Sequence, residues 1–264
     1  MRPLEGKVAL ISGTGGGQGR AAALAFARDG ACVMGCDVKV EDARETVALV
    51  EAADGVMRSL EPLDLSEPDQ ARQWVEAAVH EWGGVDILYN NAGSLRARGP
   101  FAQSTLEDWN LTLRHELTLV YICCHAAWPH LVARGGGVIL NTASVSGHIE
   151  LLPLRSAAHG AAKAGVLGLT RMLAAEGSPH NIRAISISPG LVRTPATERF
   201  WSGDDAQRAT GAKMTAKVPA GRAGACEEIA EVAAFLASSR ASYVNGSDIL
   251  VDGGLKSVSF NAFD

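Results

Sequence analysis

His159 and Lys163 stand four residues apart in a helical stretch, so their side chains share one helix face. Imidazole titrates near pH 6.5 without help from a neighbour, which suits it to moving a proton at neutral pH. A nearby ammonium lowers that value and a nearby carboxylate raises it. The turn Ser144-Val145-Ser146-Gly147 lies just upstream and offers hydroxyl groups to a polar oxygen. A second reactive-looking segment is Ser12-Gly13-Thr14-Gly15-Gly16-Gly17-Gln18-Gly19. It follows an apolar run and precedes an Ala-rich helical stretch. Bare backbone N–H groups and the positive end of a helix suit a phosphate there. The spacing G-x-G-x-x-G fails in every register; Gly13-x-x-x-Gly17-x-Gly19 is what fits. A tight strand–helix turn with no ligand also satisfies those glycines.

Such groups need a rigid frame, and strand-like and helix-like segments alternate along the whole chain. The strand-like runs are Val8–Ser12, Cys32–Cys36, Val85–Tyr89, Val138–Asn141, Ile182–Ile187 and Ile249–Val251. They lack polar alternation, which predicts strands buried on both faces, as a parallel sheet requires. Helical stretches fall at 20–29, 41–53, 68–82, 106–134, 157–176 and 227–238. The alternation predicts an α/β fold, a doubly wound parallel sheet of about seven strands with helices on both faces. No linker splits the chain, so residues 1–264 are expected to form a single domain. The longest irregular stretch, 190–218, is expected to be a substrate loop.

The chain has 264 residues, 47% hydrophobic and 20% charged, ordinary for a protein with a sizeable core. A net charge of −5 argues against nucleic acid and anionic membrane as partners. No apolar run reaches the length of a membrane span, and Met1 to Lys7 carries no signal-peptide pattern. Five cysteines (Cys32, Cys36, Cys123, Cys124 and Cys226) without zinc-type pairing fit reduced thiols and a cytoplasmic location. His148, Glu150 and His159 match no helix-pair ligand spacing, so no metal site is expected.

Together with Asn90-Asn91-Ala92-Gly93 and His159-Gly160-Ala161-Ala162-Lys163, these motifs resemble the short-chain dehydrogenase/reductase family. The resemblance continues through Ser188-Pro189-Gly190-Leu191-Val192-Arg193-Thr194-Pro195, Gly221–Gly224 and Val251–Leu255, and so covers nearly the whole chain. It implies a Rossmann-type fold and a nicotinamide dinucleotide. Gly13, Gly17, Gln18 and Gly19 would take the pyrophosphate. Asp64 and Leu65 would flank the adenine. Asn90, Asn91, Ala92 and Gly93 would pack against the adenosine and the nicotinamide ribose, and Lys163 would also hold a ribose. Pro189, Gly190, Val192 and Thr194 would hold the nicotinamide carboxamide. Asp37 stands twenty residues after Gly17, where a carboxylate accepts both adenosine ribose hydroxyls and repels a 2′-phosphate. No Arg or Lys lies between Gly13 and Gly17, so NAD(H) is expected rather than NADP(H), with Lys39 near enough to keep the second open.

In that family a Ser, a Tyr and a Lys in Tyr-x-x-x-Lys spacing carry the chemistry, with an Asn on the preceding long helix. Ser144 and Lys163 match. His159 stands at the Tyr position and Glu116 at the Asn position, and the Ser144–His159 interval of fifteen is two longer than usual. Hydride transfer between a nicotinamide and a secondary alcohol or ketone would then need His159 as acid/base, with Glu116 partnering Lys163 or His159. Imidazole is shorter than phenol by roughly 2 Å, against a hydrogen bond of about 3 Å, so a bridging water or a closer substrate is required. A dinucleotide-binding protein without turnover and a non-redox lyase or epimerase are the other readings. Phe200, Trp201, Glu198, Arg199, Asp204 and Asp205 are expected to line the substrate loop, facing Arg96, His148, Glu150 and Leu151. By resemblance, the helices near 106–134 and 157–176 would pair subunits in a homotetramer, and the tail aromatics Phe260 and Phe263 suggest added interface.

Overall fold

The strand-like runs do pair into one sheet. The computed structural model describes residues 2–95, 99–150 and 156–257. Among them seven parallel strands form a sheet in the order β3-β2-β1-β4-β5-β6-β7. The strands are β1 Val8–Ser12, β2 Cys32–Cys36, β3 Val56–Leu60, β4 Ile87–Asn90, β5 Gly137–Thr142, β6 Ile182–Pro189 and β7 Asp248–Val251. Every residue of β1 is buried, as its unbroken apolar sequence requires. Edge strand β3 has no counterpart among the sequence-predicted strands. Val56 and Arg58 face solvent, so no continuous apolar run marks it.

Helices α1 Gly17–Arg28 and α2 Val40–Ala52 link the first three strands, and α3 Pro68–Trp82 leads to β4. The expected long helix divides into α4 Leu106–Leu113, a π-helical segment Arg114–Thr118, and α5 Leu119–Ala133. Helix α6 spans Ala157–Gly177. Short α7 Arg199–Ser202, then α8 Asp205–Thr215 and α9 Cys226–Ala237, complete the set. One apolar layer joins α1 and α9 to the sheet through Phe26, Tyr89, Ile185 and Ile229. The other joins α3, α5 and α6 through Trp74, Leu88, Leu131, Ile139 and Val166. Small residues on α1 (Ala21, Ala22, Ala25) and α9 (Ala230, Ala233) are buried in the first of these layers, where the two helices pack together.

The expectation of irregular structure over 190–218 is corrected by α7 and α8. Asp204 caps α8 and accepts from Gln207 N, while Gln207 answers the Asp204 backbone. That reciprocal box stabilises a helix whose polar composition hides it. Strand β6 also runs on to Pro189, so this proline ends a strand instead of opening a loop.

The strand order reverses about β1, which creates a crevice between β1 and β4 at their C-terminal ends. Ser12 pairs with Cys36, so β1 and β2 end level. The turns that follow are then stitched together: Gly13 N and Thr14 N both donate to Cys36 O, at 2.9 and 3.1 Å. Gly13 has φ +73°, and a Cβ there would lie 3.1 Å from Ala92 Cα. A side chain at that position would therefore be strained by the positive φ and crowd the turn after β4.

Candidate active site

A cleft of about 520 Å³ opens at this crevice. Of the residues expected to hold a dinucleotide, Gly13, Gly17, Gln18, Asp37, Asp64, Leu65, Asn91, Ala92, Gly93 and Thr194 line it. Helix α1 begins beside it with Gly16 at the cap, no side-chain capping bond and no acidic residue in the first turn. The positive helix end is thus left for an anion. Gln18 Oε1 is buried without a protein partner. Asp37 Oδ2 accepts from Gly15 N at 2.8 Å and Oδ1 from Lys39 N at 2.9 Å, which fixes the carboxylate at the end of β2. Thr194 and Pro195 cross in front of the helix, 3.6 and 3.5 Å from where a Gly17 Cβ would stand. These features fit a nicotinamide dinucleotide.

Other expected residues lie off the lining and shape it from behind. A Cβ on Gly19 would fall 2.0 Å from Gly13 O, so Gly19 lets α1 sit on the turn. Gly190 N donates to Val251 O at 3.0 Å, and Val192 bridges to Gly224, so both hold the strand that delivers Thr194. Asn90, expected at the adenosine, points into the interior instead. Its Nδ2 donates to Asn141 Oδ1 at 2.8 Å and to Cys124 Sγ at 3.3 Å. Neighbouring Asn91 turns to the cleft and donates to Ser12 O at 3.0 Å. The alternation of side chains along a strand decides between the two.

Behind the cleft, His159 Nδ1 lies 2.7 Å from Glu116 Oε2, and both side chains are largely buried. A carboxylate only accepts, so Nδ1 carries the proton and Nε2 is the remaining ring nitrogen. Ser156 caps α6 and accepts from His159 N at 3.4 Å, which seats His159 in the first turn. Lys163, one turn on, donates from Nζ to Thr142 O at 2.9 Å. Burial pulls the Lys163 amine below the ordinary lysine value, and the Glu116 charge opposes that fall. Glu116 hydrogen-bonds His159, one of the two partners considered for it, and its charge also acts on Lys163. A Cβ on Gly93 would lie 3.7 Å from Lys163 Nζ and 3.8 Å from Glu116 Cγ, so this buried group adjoins the cleft wall.

Ser144 caps a short 3-10 turn, Val145–Gly147, and its Oγ accepts from Ser146 N at 3.1 Å. The turn sits directly on α6: a Cβ on Gly147 would be 2.9 Å from Ala164 N. One on Gly160 would be 3.3 Å from Ser146 O. Ser144, His159 and Lys163 therefore come from two elements in close contact.

None of the three tyrosines occupies the turn before Lys163. Tyr89 is buried against Phe26, accepts from Thr142 Oγ1 at 3.4 Å, and burial pushes it up to about 12. Tyr121 and Tyr243 are exposed. His148 bonds a different carboxylate from His159: its Nε2 lies 2.7 Å from Asp248 Oδ2. Ser186 and Ser188 donate to Asp248 Oδ1 at 2.7 and 2.9 Å. Among the described residues no group of three His, Cys, Asp or Glu could hold a metal ion. In the 190–218 region, Phe200 is buried and Arg193 lies over Trp201 while bonding Glu198 at 2.6 Å. Glu198, Asp204 and Asp205 are engaged within their own segment. Arg96, Leu151, Phe260 and Phe263 lie outside the described residues.

Sequence reasoning missed Asp42, His115 and Thr142 in the cleft wall, where Lys39, weighed only for the choice of cofactor, and Pro195, quoted only within a motif, also stand. His115 and Glu116 both belong to the π-helical segment, whose extra residue per turn no local composition announces.

Residues 13–256 match the family model described as enoyl-(acyl carrier protein) reductase. The chain is 37% identical to 3-oxoacyl-(acyl-carrier-protein) reductase FabG of Thermotoga maritima over 254 residues, 96% of this chain and 98% of that protein. It is 36% identical to the cyclohexanol dehydrogenase of an Acinetobacter strain over 251 residues, 95% of each. A solved structure from Burkholderia xenovorans, assigned as a short-chain dehydrogenase/reductase, matches with TM-score 0.93 and 32% identity over 98% of this chain and 100% of that one. A protein of Agrobacterium tumefaciens solved with bound NADP matches with TM-score 0.86 and 32% identity, covering 97% of this chain and 99% of that one. With the sheet order, the glycine turn and matches of this extent, the chain belongs to the short-chain dehydrogenase/reductase family of oxidoreductases.

Proposed function

We propose that the protein interconverts a secondary alcohol and a ketone with NAD(H), using His159 as the proton-transfer group. The observation that carries this reading is the 2.7 Å contact between His159 Nδ1 and Glu116, one helical turn from Lys163. A carboxylate on one imidazole nitrogen sets the tautomer and stabilises the ring when it becomes cationic. When bound, the dinucleotide supplies or accepts the hydride. The chain's own residues do the rest. Ser144 Oγ hydrogen-bonds the substrate oxygen. His159 Nε2 takes the hydroxyl proton in oxidation and returns it in reduction, through one bridging water that makes up the shorter reach. Lys163 places its amine beside Gly93, where it holds a ribose hydroxyl and adds positive charge.

The preference for NAD(H) rests on Asp37. Its carboxylate is fixed by two backbone N–H groups, and a 2′-phosphate brought to it meets like charge. Two nearby cations contact carboxylates: Lys39 Nζ lies 3.6 Å from Asp42, and Arg20 bonds Glu45 at 2.6 Å. Nicotinamide absorbance with a panel of secondary alcohols and ketones tests the reading. Turnover with NAD(H) that exceeds turnover with NADP(H) at least tenfold is expected. Preference for NADP(H) would refute the cofactor assignment, and no turnover with either would refute the reaction.

A further inference from the structure

An acidic group in the last strand stands outside the lining of the dinucleotide cleft. Asp248 opens β7 at the edge of the sheet and pairs in register with Ser186 of β6. Aspartate is disfavoured in strands. This one is largely buried, so it needs donors. Side chains two residues apart share a sheet face, which puts Ser186 and Ser188 on one face of β6. Both hydroxyls donate to Asp248 Oδ1, at 2.7 and 2.9 Å. Oδ2 takes a third donor from another element, His148 Nε2 at 2.7 Å. A carboxylate only accepts, so Nε2 carries a hydrogen whether the ring is neutral or charged.

His148 closes the turn that carries Ser144. Gly147 N donates to Ser144 O at 2.9 Å and His148 N to Val145 O at 3.0 Å, which bonds Ser144 to His148 into one unit. Helix α6 packs against that unit, where a Gly147 Cβ would lie 2.9 Å from Ala164 N. The His148–Asp248 contact ties the same unit to β6 and β7. Ser144 Oγ accepts from Ser146 N and so keeps its own proton for a substrate oxygen. We infer that Asp248 and His148 are positioning residues for the proposed reaction, clamping the Ser144 turn so that this hydroxyl meets the substrate oxygen in one fixed place. The inference rests on the role given to Ser144 in that reaction. Misplacing a reacting group by about 1 Å can cost about 10²-fold in rate. Dinucleotide binding does not depend on the pair, because neither residue lines the cleft.

The test is steady-state kinetics with NAD and whichever secondary alcohol of the panel turns over fastest, beside fluorescence titration of each variant with NADH. His148→Leu is expected to lower kcat at least tenfold, with NADH affinity within about twofold of native. His148→Gln, whose amide N–H can reach Asp248, is expected to hold kcat within about threefold of native. Where His148→Leu fails to fold, His148→Leu with Asp248→Asn removes the buried charge together with its partner, and the amide oxygen still accepts from the serines. The same tenfold loss is expected of it. Native kcat in either folded leucine variant overturns the inference alone, because a merely structural pair moves only the unfolding midpoint. A His148→Gln as slow as His148→Leu overturns it too, since imidazole itself is then required. A native chain that binds NADH but turns over no substrate overturns the proposed reaction and this inference with it.

Discussion

In the proposed reaction His159 offers a ring nitrogen, with its other nitrogen bonded to Glu116, where the family resemblance implies a tyrosine hydroxyl. Glu116 is therefore not interchangeable with a neutral amide. Glu116→Gln can still accept from Nδ1 but cannot stabilise the imidazolium, so kcat is expected to fall by about 10²-fold, within the usual range for a general acid–base. KM for the dinucleotide should change little, because Glu116 bonds His159 behind the cleft wall. Steady-state kinetics of Glu116→Gln check this, and an unchanged kcat would show that the pair is structural. The pair was half legible in the sequence. The spacing from His159 to Lys163 places them on one face, and alignment of the long helix singles out Glu116. What sequence could not supply is the hydrogen bond from His159 to Glu116, which depends on the turn geometry between α4 and α5. The inward turn of Asn90, expected at the cofactor beside Asn91, has a similar origin, since alternation decides which of two neighbours enters the cleft.

At the scale of elements, the site depends on three strand ends being level and on helices docked at fixed heights. Asp86, just before β4, ties several of these together. Its carboxylate accepts from Val8 N at 3.0 Å, from Arg134 at 3.1 and 3.2 Å, and from Lys7 at 3.3 Å. Burial alone would raise its pKa, but the Arg134 bonds, the Val8 N–H and the Lys7 charge outweigh that and hold it below the ordinary value. A carboxylate lowered in the folded state stabilises the fold above its unfolded pKa of about 3.9, and that contribution is lost as pH falls through the lower folded value. Asp86→Asn is expected to cost about 1–3 kcal/mol at neutral pH. The loss should start to shrink as pH falls below the unfolded value and vanish only below the lower folded value, where native Asp86 is protonated too. Urea unfolding at two pH values checks both statements, and equal midpoints for variant and native chain at neutral pH would refute them. Elements were legible where apolar runs are unbroken, as in β1 and β2. They were missed where a strand faces solvent, as in β3, or where a polar helix depends on its cap, as in α8.

At the scale of the molecule, the fold class and six of the seven strands followed from alternation, and the glycine spacing marked the turn that the family resemblance reads as a phosphate site. Those signals are physical requirements of a parallel sheet and of an anion at a helix end, so they survive in a single sequence. Assembly is a different matter, because an interface is marked only by what a lone chain leaves uncovered. Helices α5 and α6 expose Tyr121 and Met172, and α5 is apolar on nearly all sides. We propose that these helices pair subunits in a homotetramer. Light scattering should give four times 27.6 kDa, and Tyr121→Glu with Met172→Glu should lower that mass. A monomeric native chain would refute the assembly without touching the site.

The central claim is that His159 moves the proton. The most direct measurement is NAD(H)-linked turnover of the native chain beside His159→Gln, with NADH affinity measured on both. kcat is expected to fall at least 10²-fold in His159→Gln while NADH binds both proteins equally. Equal turnover by the two proteins would contradict it.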